Sequence, residues 1–231
     1  MGNAGPLRWQ AGQGWLVLAG GGELEDVSDI HRAAIEAMSD ESPIVYVPTA
    51  SASPDAGRGR GQIVTEQIEE LGGPVGYVVP IFTRADASDL KNVRRLTQAG
   101  LVYLGDGSAR KLIESLSGTP SLDALAAAYA AGAVILAEGS AACALGAWGL
   151  AKDGDVIAGW GWLPEALVCP AFHDAGLRDA IKSKPDCLGL GIPVGAALAL
   201  GPENQVQPLS AGGQQVKVVL GHRFRRSTLT P

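Results

Sequence analysis

Residues 133–149 read AVILAEGSAACALGAWG, and this stretch decides the fold. The apolar run at 133–137 predicts a buried strand that leads directly into Glu138, Gly139 and Ser140. Small residues in a helical pattern follow at once. A strand, a tight turn with a serine and a helix form a nucleophile elbow, which holds a hydroxyl above a sheet beside backbone N–H groups. The same residues also fit an ordinary strand-to-helix turn in which Ser140 caps the helix.

Apolar strands alternate with helical patterns along the first half of the chain. The strands are predicted at 15–19, 44–48, 75–81, 101–104 and 133–137, and helices at 62–71, 87–98, 109–116 and 122–131. This order predicts a parallel sheet with helices on both faces and right-handed crossovers. Shorter strands after Trp148 are expected to extend the sheet with antiparallel pieces. The predicted fold is therefore an α/β three-layer sandwich with a mainly parallel central sheet and antiparallel additions toward the C-terminus.

The composition fits one large domain across residues 1–231. The hydrophobic content is 46%, and a chain of 231 residues can bury a substantial core. Residues 1–14 lack the charged start and apolar centre of a signal peptide, so we expect a short polar lead-in there. The net charge of −6 argues against nucleic acid or an anionic membrane as a partner. No apolar run reaches the roughly 18 residues that a transmembrane helix needs.

The sequence predicts neither a metal site nor a cofactor. The three histidines show no ligand-like spacing to cysteine, aspartate or glutamate. The glycines at 20–22 follow a strand, but they lack the spacing of a dinucleotide fingerprint and the lysine of a P-loop. The three cysteines are far apart in apolar surroundings, which is typical of reduced, buried thiols in a cytoplasmic protein. Trp160 and Trp162 lie in a glycine-rich stretch and suggest a subunit contact in a homo-oligomer.

Two further features are predicted to lie at the carboxyl edge of the sheet, where α/β folds bind ligands. Residues 105–108 read GDGS and precede a predicted helix, whose unpaired N–H groups suit an oxyanion. The alternative is an ordinary glycine-rich turn. His173 follows an apolar strand at the same edge, and the alternative for it is a surface histidine beside Asp174.

Several segments, in their order and spacing, resemble the peptidase E and cyanophycinase family of serine peptidases. They are LAGGGE at 18–23, VPTAS at 47–51, TRADAS at 83–88, LGDG at 104–107, LSGT at 116–119 and GHRF at 221–224. The resemblance covers nearly the whole chain. It implies the fold of class I glutamine amidotransferases and a serine nucleophile that forms an acyl-enzyme with a small peptide or amide. It implies no cofactor.

The family elbow reads Gly-x-Ser-Ala-Gly-Ala, and two alignments to it are open. Matching the serines makes Ser140 the nucleophile and places Glu138 and Ala142 where the family has glycines. Matching backwards from 144–148 instead places Gly139 at the nucleophile position. The loss of the glycines that flank the serine matters, because side chains crowd each other around a strained turn.

The resemblance assigns the remaining catalytic positions as well. Gly107 matches an oxyanion-hole glycine, and the N–H of Ala141 would be the second donor. Ala171 stands in the place of the family's histidine, and Val194 in the place of the acid that orients it. His173 lies two residues past 171, which in a strand is the same face about one pleat further.

Two hypotheses about function follow. In the first, the chain is a serine hydrolase with Ser140 as nucleophile and His173 as general base, oriented by Asp155 or Glu138. In the second, it is a catalytically degenerate member that acts as a binding or assembly module. The second hypothesis depends on the alanine and valine at the histidine and acid positions, because the members of a catalytic triad act as a unit.

Overall fold

A computed structural model of the chain describes residues 6–39, 41–172, 174–210 and 212–224. The described residues form twelve strands: β1 (Trp15–Ala19), β2 (Ile44–Val47), β3 (Gly76–Val78), β4 (Leu101–Leu104), β5 (Val134–Glu138), β6 (Gly146–Leu150), β7 (Val156–Ala158), β8 (Leu163–Pro170), β9 (Leu188–Ile192), β10 (Ala196–Leu200), β11 (Val206–Ser210) and β12 (Lys217–Leu220). The α-helices are α1 (Ser28–Glu36), α2 (Pro54–Glu70), α3 (Leu90–Thr97), α4 (Ala109–Leu116), α5 (Pro120–Ala131) and α6 (Asp174–Ser183). Short 3-10 helices lie at Asp86–Ser88, Gly139–Ala144 and Pro202–Asn204.

Seven strands form the central sheet in the order β11-β10-β1-β5-β4-β2-β3. The strands from β1 to β3 in that order are parallel, whereas β10 and β11 join the β1 edge in antiparallel pairs. Strands β2, β4 and β5 are buried along their whole length, which explains why they read as apolar runs. The prediction of a mainly parallel sheet with antiparallel additions toward the C-terminus is confirmed.

Helices cover both faces of this sheet. On one face, Ile30 of α1 and Val64 of α2 pack with alternate strand residues such as Leu136. On the other face, Leu96 of α3 and Leu125 of α5 pack with the opposite set of strand residues, and α4 contributes to the same core. Each face of β5 therefore contacts a different helical layer, and successive residues at its end point to different layers.

A second sheet replaces part of the expected extension. It has five strands in the order β12-β9-β8-β6-β7, and Leu163, Val168 and Leu190 belong to the same core as the central sheet. Sequence analysis placed these segments in the first sheet, and this was wrong. After β5 the chain passes through the short 3-10 helix Gly139–Ala144 straight into β6. No crossover helix returns it to the edge of the first sheet, so the new strands start a second layer.

Helix α2 is longer than the sequence pattern indicates. It begins at Pro54 after Ser53, whose hydroxyl accepts a hydrogen bond from the N–H of Ala56, and proline is well suited to the first helical turn. The sequence pattern predicted a helix only from residue 62, whereas the first half of α2 contains three glycines at 57, 59 and 61. Two of them pack tightly, because a Cβ on Gly57 would lie 2.7 Å from Pro48 and one on Gly61 would lie 2.5 Å from Tyr46.

Other expectations from composition have mixed outcomes. All three cysteines are buried and free, as predicted. Trp162, which suggested a subunit contact, is instead 5% exposed and stacks on Tyr129 with ring centroids 5.8 Å apart. Within the part of the chain that the structure describes, no helix combines the length and the apolar character that crossing a membrane requires.

A buried histidine joins α1 to the sheet and to α2. His31 Nδ1 lies 2.9 Å from Gln67 Oε1, and Nε2 lies 3.2 Å from the hydroxyl of Tyr103. Gln67 donates through Nε2 to the carbonyl of Leu24, so its Oε1 is an acceptor and His31 carries its proton on Nδ1. Burial lowers the pKa of His31 to about 4, and the charge of Arg60 adds to the effect. The imidazole is therefore neutral near pH 7.

We predict that His31 makes the protein less stable in mild acid. A histidine whose pKa is lower in the folded state gives its full stabilisation above its ordinary pKa of 6.5, and loses it as the pH falls toward about 4. The loss is about 3 kcal/mol across this window. Urea unfolding at pH 7 and pH 4.5 should therefore show a larger loss in the wild type than in His31→Gln. Equal losses in the two proteins would contradict this account.

Candidate functional site

The elbow after β5 places a glycine at its turn. Gly139 has φ of +55°, a left-handed conformation that L-residues with a side chain rarely adopt. Ser140 follows it inside the 3-10 helix Gly139–Ala144, where sequence analysis expected an α-helix. In a nucleophile elbow the nucleophile itself stands on the strained turn. The residue with that backbone geometry is Gly139, which matches the second of the two alignments.

The carboxylate of Asp106 fills the space beside this turn. Its Oδ1 accepts two backbone hydrogen bonds of 2.7 Å, one from the N–H of Gly107 and one from the N–H of Ser140. A Cβ on Gly139 would lie 2.5 Å from the carboxyl carbon of Asp106. The other carboxylate oxygen, Oδ2, pairs with Lys152 Nζ at 3.0 Å. Two converging N–H groups thus hold a carboxylate of the chain itself.

A cavity of about 480 Å³ opens above Gly139. Its walls come from the glycine loop after β1, the turns after β4 and β5, the β6–β7 connection and the end of β8, together with Val194. These segments converge at the carboxyl ends of the parallel strands, where ligands bind in α/β folds. The cavity thus lies at the carboxyl edge of the sheet, where the sequence predicted ligand-binding residues.

The residues predicted for the active site are distributed as follows. Ser140 lines the cavity and is 3% exposed. Gly107 donates its N–H as an oxyanion-hole residue would, but the donor beside it is Ser140, whereas Ala141 is fully buried. His173 lies outside the described residues. Asp155 does not belong to the described lining of the cavity and pairs with Arg110 at the surface.

Glu138 points away from the cavity, toward α2. It follows the alternation of β5, so its side chain lies on the same face as Leu136. Its Oε1 accepts a hydrogen bond of 3.1 Å from Arg60, and the Glu138 side chain is 4% exposed. Burial raises the pKa of the Glu138 carboxyl, and Arg60 opposes this shift. The pair connects the end of β5 to α2.

The two positions that the resemblance gives to the missing triad members line the same cavity. Ala171 has φ of +47°, which is strained for an alanine, and Val194 is about half exposed. Their side chains offer neither a proton acceptor nor a charge. Apolar side chains therefore line the cavity at the two positions where the resemblance places a histidine and an acid.

Asp106 and Lys152 were missed by sequence analysis. Asp106 lies in the segment GDGS, for which only backbone N–H groups were predicted to bind a ligand. Its contact with Ser140, 34 residues later, depends on β4 and β5 being neighbours in the sheet. An aspartate between two glycines at the predicted ligand edge was the signal that could have found it. Among the described residues, no group of histidine, cysteine, aspartate or glutamate could hold a metal ion.

Comparisons with known proteins identify a family for the chain and agree with its fold. The family model for peptidase family S51 matches residues 16–204. No curated protein matches the sequence. A solved peptidase from an acI-B1 Actinobacterium is 19% identical, with a TM-score of 0.75, and the match covers 91% of this chain and 96% of that one. A putative peptidase E protein from Listeria monocytogenes EGD-e is 14% identical, with a TM-score of 0.55, over 85% and 98% of the two chains.

We predict that a side chain at position 139 conflicts with Asp106. Gly139→Ala should cost about 1–2 kcal/mol for the left-handed backbone, and more because the methyl group must displace the carboxylate. Gly161→Ala is the matched control, since Gly161 has φ of +74° and open space around it. Urea unfolding should show the larger loss at position 139.

A double-mutant cycle isolates the steric part of this effect. In the background of Asp106→Ala, the cost of Gly139→Ala should fall to that of Gly161→Ala. An unchanged cost of Gly139→Ala in that background would contradict the predicted conflict.

Proposed function

The chain belongs to peptidase family S51, but we propose that it binds a ligand in the cavity above Gly139 without forming an acyl-enzyme with it. The observation that carries the proposal is the position of Asp106. Its Oδ1 accepts both N–H groups, those of Gly107 and Ser140, that would stabilise an oxyanion. The proposal keeps the peptidase scaffold and gives it a binding role.

Acyl transfer at this site would need free N–H donors for its transition state. A tetrahedral intermediate needs N–H donors about 2.7–3.1 Å from its developing oxyanion, and the loss of one donor costs on the order of 10²–10³ in rate. At Gly107 and Ser140 both donors are already engaged at 2.7 Å. A negative charge that develops beside the carboxylate of Asp106 is repelled by it. The present arrangement therefore opposes the reaction that the family's fold supports.

The positions that the second alignment and the resemblance give to the nucleophile and its base carry no reactive side chain. Gly139, at the strained turn, has no side chain to attack a carbonyl. Ala171 and Val194 line the cavity at the positions where the resemblance places a histidine and an acid. A serine without a general base and an orienting acid loses most of its reactivity. These substitutions support a binding role together with the occupied N–H groups.

A serine hydrolase that cleaves a small peptide or amide is the second candidate. It is favoured by one observation, that Ser140 lines the cavity next to the turn. In this candidate His173 would be the base. The N–H groups of Gly107 and Ala141 would be its oxyanion donors, and Asp106 would first have to leave the N–H of Gly107, which it already accepts at 2.7 Å.

A fluorophosphonate serine probe distinguishes the two candidates. We predict that the wild-type protein, shown to be folded by cooperative unfolding, gives no probe adduct above that of Ser140→Ala by intact-protein mass spectrometry. An active peptidase E protein under the same conditions provides the positive control. An adduct that disappears in Ser140→Ala would favour the hydrolase instead.

Asp106→Ala sharpens this test. If Asp106 only blocked a competent site, its removal would free both N–H groups and labelling of Ser140 would appear. We expect no labelling in this variant either, because the turn residue Gly139 offers no hydroxyl and Ala171 offers no base. Labelling that appears only in Asp106→Ala would show a blocked hydrolase and contradict the binding role.

A further inference from the structure

We propose that the cavity above Gly139 binds small ligands through a primary ammonium group, which pairs with Oδ2 of Asp106 in place of Lys152. The inference rests on the non-hydrolytic role proposed above and names the chemical class of the ligand. It follows from how Asp106 is held, from what it pairs with, and from the groups around it.

Asp106 is anchored as a carboxylate. Two backbone N–H groups donate to Oδ1 at 2.7 Å each, which fixes the position of the side chain. With Oδ1 fully engaged, Oδ2 is the oxygen available to a partner. The two N–H groups that could bind an anion therefore hold the Asp106 carboxylate, and its Oδ2 presents a negative charge to the cavity.

The partner of Asp106 Oδ2 in the structure is the side chain of Lys152. Its Nζ lies 3.0 Å from Oδ2, so the partner already present is a primary ammonium. The Lys152 side chain is 65% exposed and lies on the connection between β6 and β7. Such an exposed pair contributes at most about fivefold to an equilibrium constant. A ligand that brings an ammonium and apolar contacts can therefore displace Lys152.

The charges of the described lining favour a cation once Lys152 moves away. Asp106 and Glu23 carry negative charge, and Lys152 is the one basic residue among the described residues of the lining. With Lys152 displaced, the wall keeps two carboxylates. A ligand carboxylate would meet these charges and would find the N–H groups of Gly107 and Ser140 occupied.

The rest of the cavity suits a small carbon skeleton. Leu150, Phe172 and Val194 form apolar parts of the wall, while Gly21 and Gly139 leave the floor without side chains. The volume of about 480 Å³ lies within the range of small-molecule sites, roughly 300–1,000 Å³. The ligand class is therefore a small amine with an apolar body, either a free amine or the N-terminus of a peptide.

Isothermal titration with three probes of equal chain length tests the proposal. Hexylammonium chloride should bind, whereas hexanoate and hexanol should not bind at the same concentrations. Asp106→Asn is the matched variant, because its amide oxygen can still accept both N–H groups while the charge is lost. We predict that it weakens hexylammonium binding by up to about fivefold, and that Lys152→Met strengthens it by up to about fivefold because an internal competitor is gone.

The outcomes separate this inference from the proposed function. No binding of hexylammonium, unchanged binding in a folded Asp106→Asn protein, or a preference for hexanoate would overturn the ammonium site. The fluorophosphonate result would stand independently in each case. Leucinamide against hexylammonium identifies the source of the ammonium, with N-acetyl-leucinamide as the control that lacks this group. A preference for leucinamide supports a peptide N-terminus, and the reverse order supports a free amine.

Discussion

The site depends on the hydrogen bonds between one carboxylate oxygen of Asp106 and the backbone N–H groups of Gly107 and Ser140. These bonds join the turn after β4 to the turn after β5, two neighbouring strands of the central sheet. Gly107 is itself fixed, because a Cβ there would lie 2.1 Å from the carbonyl oxygen of Ala50. The same carbonyl accepts a hydrogen bond from the N–H of Ser108. Three turns at the carboxyl edge are thus locked together around one side chain.

A second polar contact fixes the elbow from the opposite face of the sheet. Glu138 ends β5 and pairs with Arg60 of α2, while the next residues turn toward the cavity. The removal of a carboxylate from water costs free energy that the partner offsets only in part, in keeping with the raised pKa of Glu138. The elbow is therefore held between two carboxylates, Glu138 beneath it and Asp106 beside it. Both carboxylates are engaged by groups of the chain, Glu138 by Arg60 and Asp106 by the N–H groups of Gly107 and Ser140.

Local pattern predicted the elements well, and the site only in part. Strands β1 and β4 and helix α4 have the bounds that periodicity indicates, because each is one apolar run or one amphipathic stretch between clear turn residues. The second sheet could not be predicted from the sequence, because the residue pattern of a short strand does not indicate which sheet the strand joins. The direction of Glu138 was predictable from its parity with Leu136. The role of Asp106 was not predictable, because it depends on the order of the strands in the sheet and on backbone N–H groups, which nearly every residue has.

The geometry also links two positions that sequence analysis treated separately. A serine at 139 and an aspartate carboxylate in its present place exclude each other, because the Cβ and the carboxyl carbon would be 2.5 Å apart. The present position of the Asp106 carboxylate thus requires a glycine at the turn, and the carboxylate in turn occupies the two N–H groups that a nucleophile at 139 would need. The two residues form one structural unit. Its effect is to reverse the charge that the site presents, from N–H donors that suit an anion to an oxygen that suits a cation, while the fold around it stays that of the peptidases.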